Sequence, residues 1–164
     1  MELKGVAHVF GDNINTDLII AGKYTKTQNM NDLAEHCFED LDPDFRKRVK
    51  KGDFVVAGYN FGCGSSREQA PVALKYSGVA AVIARSFARI FYRNAINIGL
   101  PAIICDTSSI KNGDYLTIDL AKGEVIVNNK QIIRCQPFPP IMQDILECGG
   151  LVPYLREKGD YTIN

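Results

Sequence analysis

A glycine-rich turn between an apolar run and a segment of helical spacing constrains the fold of this chain more than any other feature. Residues 54–57 are all apolar and predict a buried strand, whereas the apolar spacing in residues 70–77 predicts a helix. The turn between them carries Gly58, Gly62 and Gly64. A buried strand that turns sharply into a helix is typical of α/β proteins.

The same turn places polar groups beside the start of the predicted helix. Ser65, Ser66 and Arg67 follow the last glycine. Backbone N–H groups at a helix start have no partner within the helix and favour negative charge, and a guanidinium matches a carboxylate or phosphate. The turn therefore suits an anion. A helix cap by the two serines, with Glu68 completing a capping box, explains the pattern equally well.

Known phosphate and nucleophile motifs do not fit the turn. The chain has no Gly-Lys-Ser or Gly-Lys-Thr, so the Walker A motif is absent. Gly62 and Gly64 are followed by Arg67 where a dinucleotide-binding loop has its third glycine. The serines also lack the second glycine of a G-x-S-x-G elbow.

Composition limits the classes of partner. Nineteen basic and nineteen acidic side chains give zero formal charge, which disfavours binding to nucleic acid or to an anionic membrane. No apolar run approaches the roughly 18 residues of a membrane-spanning helix, and the N-terminus has no signal-peptide pattern. We expect a single cytoplasmic domain over residues 1–164.

The cysteines and histidines do not predict a metal site. There are five widely spaced cysteines and no C-x-x-C pair, which favours small buried thiols over a disulfide framework or a zinc site. Cys63 alone lies in the glycine turn. His8 and His36 have no second ligand at metal spacing, so we expect them to be structural or exposed.

The remaining pattern changes from alternating strands and helices to hairpins. Strands are predicted at residues 6–10, 54–57, 79–84 and 101–105, with helices at 29–36 and 87–98, then hairpin strands at 115–120, 124–127 and 131–135, and a closing helix at 139–148. The first part predicts a largely parallel, buried sheet.

Four separated motifs carry a family resemblance over nearly the whole chain. They are residues 60–68 (Asn-Phe-Gly-Cys-Gly-Ser-Ser-Arg-Glu), 11–17 (Gly-Asp-Asn-Ile-Asn-Thr-Asp), 41–45 and 84–91. Together they resemble the swivelling domain of the aconitase superfamily, in the form of the small subunits of isopropylmalate-type dehydratases. Gln69 departs from the histidine of many members. The resemblance implies an α/β fold, a three-layer β/β/α swivelling domain.

The resemblance also implies a reaction and a partner. Isopropylmalate isomerases, hydro-lyases of leucine biosynthesis, move a hydroxyl between adjacent carbons of a 2-hydroxy diacid by dehydration and rehydration. In this family a [4Fe–4S] cluster with one open iron position accepts the leaving hydroxyl as a Lewis acid. The cluster ligands belong to a large subunit, so this chain would hold no metal and would act only in a hetero-oligomer.

Site residues are transferred from the family by position. Ser65 would be the base, as an alkoxide, and Arg67 would bind the substrate carboxylate. Ser66 would donate a hydrogen bond to the substrate, and Asp17 would lie in the pocket and orient a basic partner on the large subunit. Specificity would lie in loop 22–28.

Loop 22–28 leaves the substrate open. It carries Thr25 and Lys26, where homoaconitase-like members have an arginine and isopropylmalate-type members place an apolar group nearby. Lys26 would either meet a third carboxylate or lie in solvent with its stem packed. A homoaconitase and a 2,3-dimethylmalate dehydratase therefore remain alternatives, as does a non-catalytic dicarboxylate-binding domain.

Two further patterns have open interpretations. Arg85, Arg89 and Arg93 are four residues apart and would line the pocket or the partner interface, or form a surface stripe. A hydrolase that uses Ser65 as its nucleophile has little support, because no histidine is near in sequence.

Overall fold

The computed structural model describes residues 1–158, and its strands form one mixed sheet. The strands are β1 (Glu2–Val9), β2 (Phe54–Val56), β3 (Ala81–Ala84), β4 (Ala102–Ile104), β5 (Tyr115–Asp119), β6 (Glu124–Val127) and β7 (Gln131–Arg134). Their order across the sheet is β4-β3-β2-β1-β5-β6-β7. The first four run parallel and the last three are antiparallel hairpin strands, as the sequence predicts.

Strand β1 joins the two halves of the sheet. Its last residues pair in parallel with β2, with Ala7 opposite Phe54. Its first residues pair antiparallel with β5, with Glu2 opposite Asp119. The predicted strand at 6–10 is therefore too short at its N-terminal end, because the pairing with β5 recruits residues that have little apolar character of their own.

The helices are α1 (Thr16–Ile19), α2 (Met30–Glu35), α3 (Phe45–Arg48), α4 (Gln69–Tyr76), α5 (Arg89–Asn97), α6 (Pro140–Glu147) and α7 (Leu151–Lys158). The predicted helices at 29–36, 70–77, 87–98 and 139–148 are confirmed within one or two residues at each end. The short helices α1 and α3 and the last helix, α7, are not predicted by the sequence. Pro153 lies in the first turn of α7, where a missing N–H costs no helical hydrogen bond.

Aromatic side chains fill the core on both sides of the strand ends. Phe38 and Phe45 are fully buried and pack edge to face at 5.0 Å between ring centroids. Phe61 and Phe91 form a second such pair at 5.2 Å, which packs helix α5 against the glycine turn. Over the described part of the chain, the helices are too short or too polar to cross a membrane.

Candidate functional site

Three loops meet at the carboxyl ends of the parallel strands β1, β2 and β3. They are residues 10–15, 57–68 and 85–88, and each follows its strand directly. In open α/β sheets ligands bind at the carboxyl ends of the strands, because the loops there combine with the N-termini of the following helices. The glycine turn is the middle loop of the three.

Two asparagines connect the loops. Asn13 and Asn60 both have left-handed backbones, with φ of 55° and 62°, a region that asparagine tolerates better than most residues. Asn60 Nδ2 donates to Asn13 Oδ1 at 3.1 Å, and its backbone N–H donates to Ser86 Oγ at 2.7 Å. These bonds fix the position of the first two loops relative to the third.

Further hydrogen bonds fix the backbone of the glycine turn. The N–H of Gly62 donates to the carbonyl of Ile14 at 2.8 Å, and the N–H of Thr16 donates to the carbonyl of Cys63 at 2.9 Å. Thr16 Oγ1 donates to the carbonyl of Ser65 at 2.7 Å. The Ser65 backbone is therefore held in place while its side chain stays exposed.

Of the two interpretations of the serines, the helix cap by Ser65 and Ser66 is wrong. Helix α4 begins at Gln69, and its N-cap residue is Glu68, whose side chain makes no capping hydrogen bond. Residues 65–67 still belong to the turn, and the helix begins only after them. The two hydroxyls consequently lie outside the cap.

Arg67 is held in place from two sides. One amino group lies 2.6 Å from Asp17 Oδ1, and a Cβ built on Gly22 would lie 3.2 Å from both amino nitrogens. A side chain at position 22 would therefore crowd the guanidinium. The Nε of Arg67 is buried and has no hydrogen-bond partner among the described residues. The predicted pocket residues Asp17 and Arg67 thus lie together.

A cavity of about 290 Å³ opens beside Arg67. It is lined by Thr16, Gly62, Gly64, Ser66, Arg67 and four consecutive residues at the start of α5, with Asn94 one turn further on. Of the predicted site residues, Ser66 and Arg67 line it, whereas Ser65, Asp17, Thr25 and Lys26 do not. The sequence does not predict Thr16 and Asn94 as site residues; the available signal is that Thr16 belongs to the motif at 11–17 and Asn94 lies three residues after the motif at 84–91.

The three spaced arginines do not form one stripe. Arg85 precedes helix α5, stacks over the Tyr59 ring at 4.5 Å and lies 3.8 Å from Asp106. Arg89 lines the cavity, and Arg93 is exposed further along the same helix. Of the three, only Arg89 lines the cavity beside Arg67.

Loop 22–28 is anchored to the site by Gln69. Residues Gly22–Tyr24 form a 3₁₀ turn, and Gln69 Nε2 donates to the carbonyl of Thr25 at 3.2 Å. Thr25 Oγ1 donates back to the carbonyl of Gly22 at 2.8 Å. Lys26 is exposed and makes no ion pair within residues 1–158. Gln69 therefore helps to fix the position of this loop.

Away from the site, His8 belongs to a buried structural network. His8 Nε2 lies 2.8 Å from Asp53 Oδ2, and Arg48 Nε donates to His8 Nδ1 at 3.3 Å. Burial disfavours the charged form of Asp53, but hydrogen bonds from His8 and from backbone N–H groups outweigh it, and its pKa is lowered. The structural role expected for His8 fits this network.

The chain is similar to known proteins along most of its length. A model of the aconitase C-terminal domain matches residues 4–107. A 3-isopropylmalate dehydratase small subunit of Archaeoglobus fulgidus is 57% identical over 165 residues, 99% of this chain and 100% of that protein. A methanogen homoaconitase small subunit of Methanocaldococcus jannaschii is 54% identical and covers 96% of this chain and 94% of its own.

A solved structure extends the comparison to the fold. The crystal structure of a 3-isopropylmalate dehydratase from Methanocaldococcus jannaschii matches with a TM-score of 0.92 and 54% identity, over 96% of this chain and 95% of that one. The predicted swivelling-domain fold is therefore confirmed.

Proposed function

The chain belongs to the aconitase C-terminal domain family, and we propose that it is the small subunit of a 3-isopropylmalate dehydratase. This enzyme is a hydro-lyase that interconverts 2- and 3-isopropylmalate in leucine biosynthesis. The proposal is supported by identity of 57% over 99% of the chain with a small subunit of that name. A cytoplasmic location is part of it.

The position of Arg67 is the observation that carries the proposal. Its guanidinium is paired with Asp17 and packed on Gly22, and Arg67 lines the cavity together with Ser66. A planar fork that is fixed before the ligand arrives loses little entropy when it binds a carboxylate. The cavity therefore suits a small carboxylic acid.

In this proposal Ser65 removes the proton next to the substrate carboxylate. A serine hydroxyl is far too weak an acid to ionise unaided, so positive charge and N–H donors must stabilise the alkoxide. Arg67 and the start of helix α4 follow directly in the chain. The bond from Thr16 to the Ser65 carbonyl fixes the backbone that presents the hydroxyl.

The other predicted residues have supporting roles in the proposal. Ser66 donates a hydrogen bond to the substrate from the cavity wall. Asp17 orients Arg67 within this chain, and its exposed face is free to meet a basic group of the large subunit. Thr25 and Lys26 lie on the loop that we expect to face the variable part of the substrate.

The [4Fe–4S] cluster is assigned to the large subunit. Among residues 1–158, no three His, Cys, Asp or Glu side chains lie close enough together to hold a metal ion, so this part of the chain does not fit the cluster. We therefore propose a hetero-oligomer in which this chain supplies the base and the carboxylate site, while the partner supplies the Lewis acid.

A homoaconitase small subunit is the second candidate. It is supported by the 54% identical relative of that name, and in this alternative Lys26 on loop 22–28 would bind the third carboxylate. A 2,3-dimethylmalate dehydratase would fit the same core motif, but none of the relatives described above carries that name.

The deciding experiment is co-production of the chain with its large subunit and anoxic assay. The assembled enzyme is assayed with three substrates: 2-isopropylmalate, a tricarboxylate of the kind that a homoaconitase uses, and 2,3-dimethylmalate. We expect turnover of isopropylmalate by the assembled enzyme and none by either subunit alone. Turnover by this chain alone would contradict the two-subunit reaction. Binding of the dicarboxylates without turnover by the loaded complex would instead favour the non-catalytic domain.

A further inference from the structure

The two outer strands of the sheet meet where they end. Strand β4 is one edge and β7 is the other, yet Cys105 and Cys135, the residues that follow them, form an antiparallel bridge. The N–H of Gln136 donates to the carbonyl of Ile104 at 3.1 Å. This short contact, which we call the seam, closes the sheet on itself at one end.

The hydrogen-bond pattern fixes the type of pair at the seam. A bond from the residue after Cys135 to the residue before Cys105 marks the two cysteines as a non-hydrogen-bonded pair. In such pairs the Cα atoms are about 4.5 Å apart. That separation lies within the range that a disulfide spans, about 4.4–6.8 Å.

We propose that Cys105 and Cys135 are a reversible oxidation site, at which a low-molecular-weight disulfide converts the two thiols into a disulfide across the seam. The other cysteines, Cys37, Cys63 and Cys148, have no cysteine opposite them in the described sheet. The site is distinct from the cavity beside Arg67.

The exposure and the pKa shifts of the two thiols indicate which of them reacts first. Cys135 is partly exposed and lines a shallow recess with Gly123 and Gln136, whereas Cys105 is 8% exposed. The Cys135 thiol donates to the carbonyl of Ile133 at 3.8 Å, and the neighbouring Cys105 thiol lowers the pKa of Cys135 against the effect of burial. The same interaction, with burial, raises the pKa of Cys105. Cys135 is therefore the thiolate that reacts first.

The reaction is two successive thiol–disulfide exchanges. The Cys135 thiolate attacks one sulfur of the small disulfide, forms a mixed disulfide and releases one small thiolate. Cys105 loses its proton and attacks the Cys135 sulfur, which releases the second small thiolate. Two electrons pass from the cysteines to the small disulfide, which leaves as two thiols after protonation.

The product joins the two edges of the sheet. It closes a loop that contains β5, β6 and β7, so it restricts the unfolded chain and stabilises the folded one. The oxidised chain should therefore melt at a higher temperature than the reduced chain, by roughly 5–10 °C.

The test uses the full chain and oxidised glutathione. After oxidation, remaining thiols are alkylated and peptides are mapped by mass spectrometry. We expect a peptide cross-linked between Cys105 and Cys135, reversed by dithiothreitol, together with the higher melting temperature. The Cys105→Ser variant should keep a glutathione adduct on Cys135, because the resolving thiol is missing. Cys63→Ser is the matched control and should cross-link like the parent chain.

Two results would overturn the proposal. One is a stable glutathione adduct on Cys135 of the parent chain, since the second exchange would then not occur. The other is alkylation of both seam thiols after oxidation. Peptide mapping of the parent chain decides between these outcomes even if a variant fails to fold.

Discussion

Asp17 orients Arg67, which lines the candidate cavity: the Asp17 carboxylate Oδ1 lies 2.6 Å from one amino group of the guanidinium. The Asp17 side chain is 60% exposed, whereas that of Arg67 is 22% exposed. Because exposed ion pairs contribute only about 0–1 kcal/mol to stability, the pair matters for orientation more than for folding.

Asp17→Asn tests that orientation. We expect KM for isopropylmalate to rise roughly tenfold while kcat and the melting temperature change little, because Arg67 keeps its charge but loses its fixed direction. Steady-state kinetics of the assembled enzyme provide the measurement. Asp44→Asn is the control, since Asp44 pairs with Lys47 at an exposed position away from the cavity. Equal kinetics for both variants would contradict the orienting role.

Ser65→Ala tests the proposed base. The assembled enzyme should lose on the order of 10³-fold or more in kcat with KM little changed, as expected for a group that acts in the transition state. Stability should stay within about 0.5 kcal/mol, because the Ser65 side chain is exposed. The neighbouring Ser66→Ala should mainly raise KM. A near-normal kcat in Ser65→Ala would assign the base to another residue.

Lys26→Ala tests the choice of substrate. If Lys26 binds a third carboxylate, the variant should weaken a tricarboxylate substrate by about 2–3 kcal/mol and leave alkyl-branched dicarboxylates unchanged or improved. If Lys26 stays in solvent, neither class should change by more than about 0.3 kcal/mol. We expect the second result, since Lys26 is exposed. Lys122→Ala, in the distant hairpin turn, is the matched control, and KM for both classes is measured.

Gly62→Ala should destabilise the glycine turn. Gly62 has φ of +82°, and an added Cβ would overlap the Phe91 side chain. The control Gly113→Ala has a similar φ of +90° but open space, so it isolates the backbone strain, about 1–2 kcal/mol. Gly62→Ala should lose about 1–3 kcal/mol more because of overpacking. Urea unfolding of both variants measures the difference, and equal losses would show that Phe91 moves away freely.

The buried Asp53 should make stability depend on acid pH. Its native pKa is lowered below the value of about 3.9 for an unfolded aspartate, so its contribution is complete above that value and is lost as the pH falls through the native pKa. Asp53→Asn should therefore be less stable than the parent chain at neutral pH, with a difference that shrinks below about pH 4. Urea unfolding across pH measures this. Asp40→Asn, an exposed carboxyl, should show no such trend.

Local patterns were sufficient for most elements of the fold. The apolar runs at β2 and β3 are continuous because both faces are buried, and the turns at Lys122-Gly123 and Asn128-Asn129 mark the hairpins. Hydrophobic period and turn chemistry act over a few residues, which is why they can be recognised in one sequence. The sequence does not predict α1 and α3, because each is only four residues long, nor α7, which begins directly after two glycines and contains Pro153.

What the sequence determined by itself was the strands, four of the helices, the glycine turn and the chemical types that the turn presents. Only the tertiary structure decided which of those groups meet. Parallel strands bring Asp17 to Arg67 and Asn13 to Asn60, and sheet closure brings Cys105 to Cys135. The same packing starts helix α4 too late for the serines to cap it. These contacts join segments far apart in the chain, so their geometry depends on strand order and crossover connections, which no local pattern encodes.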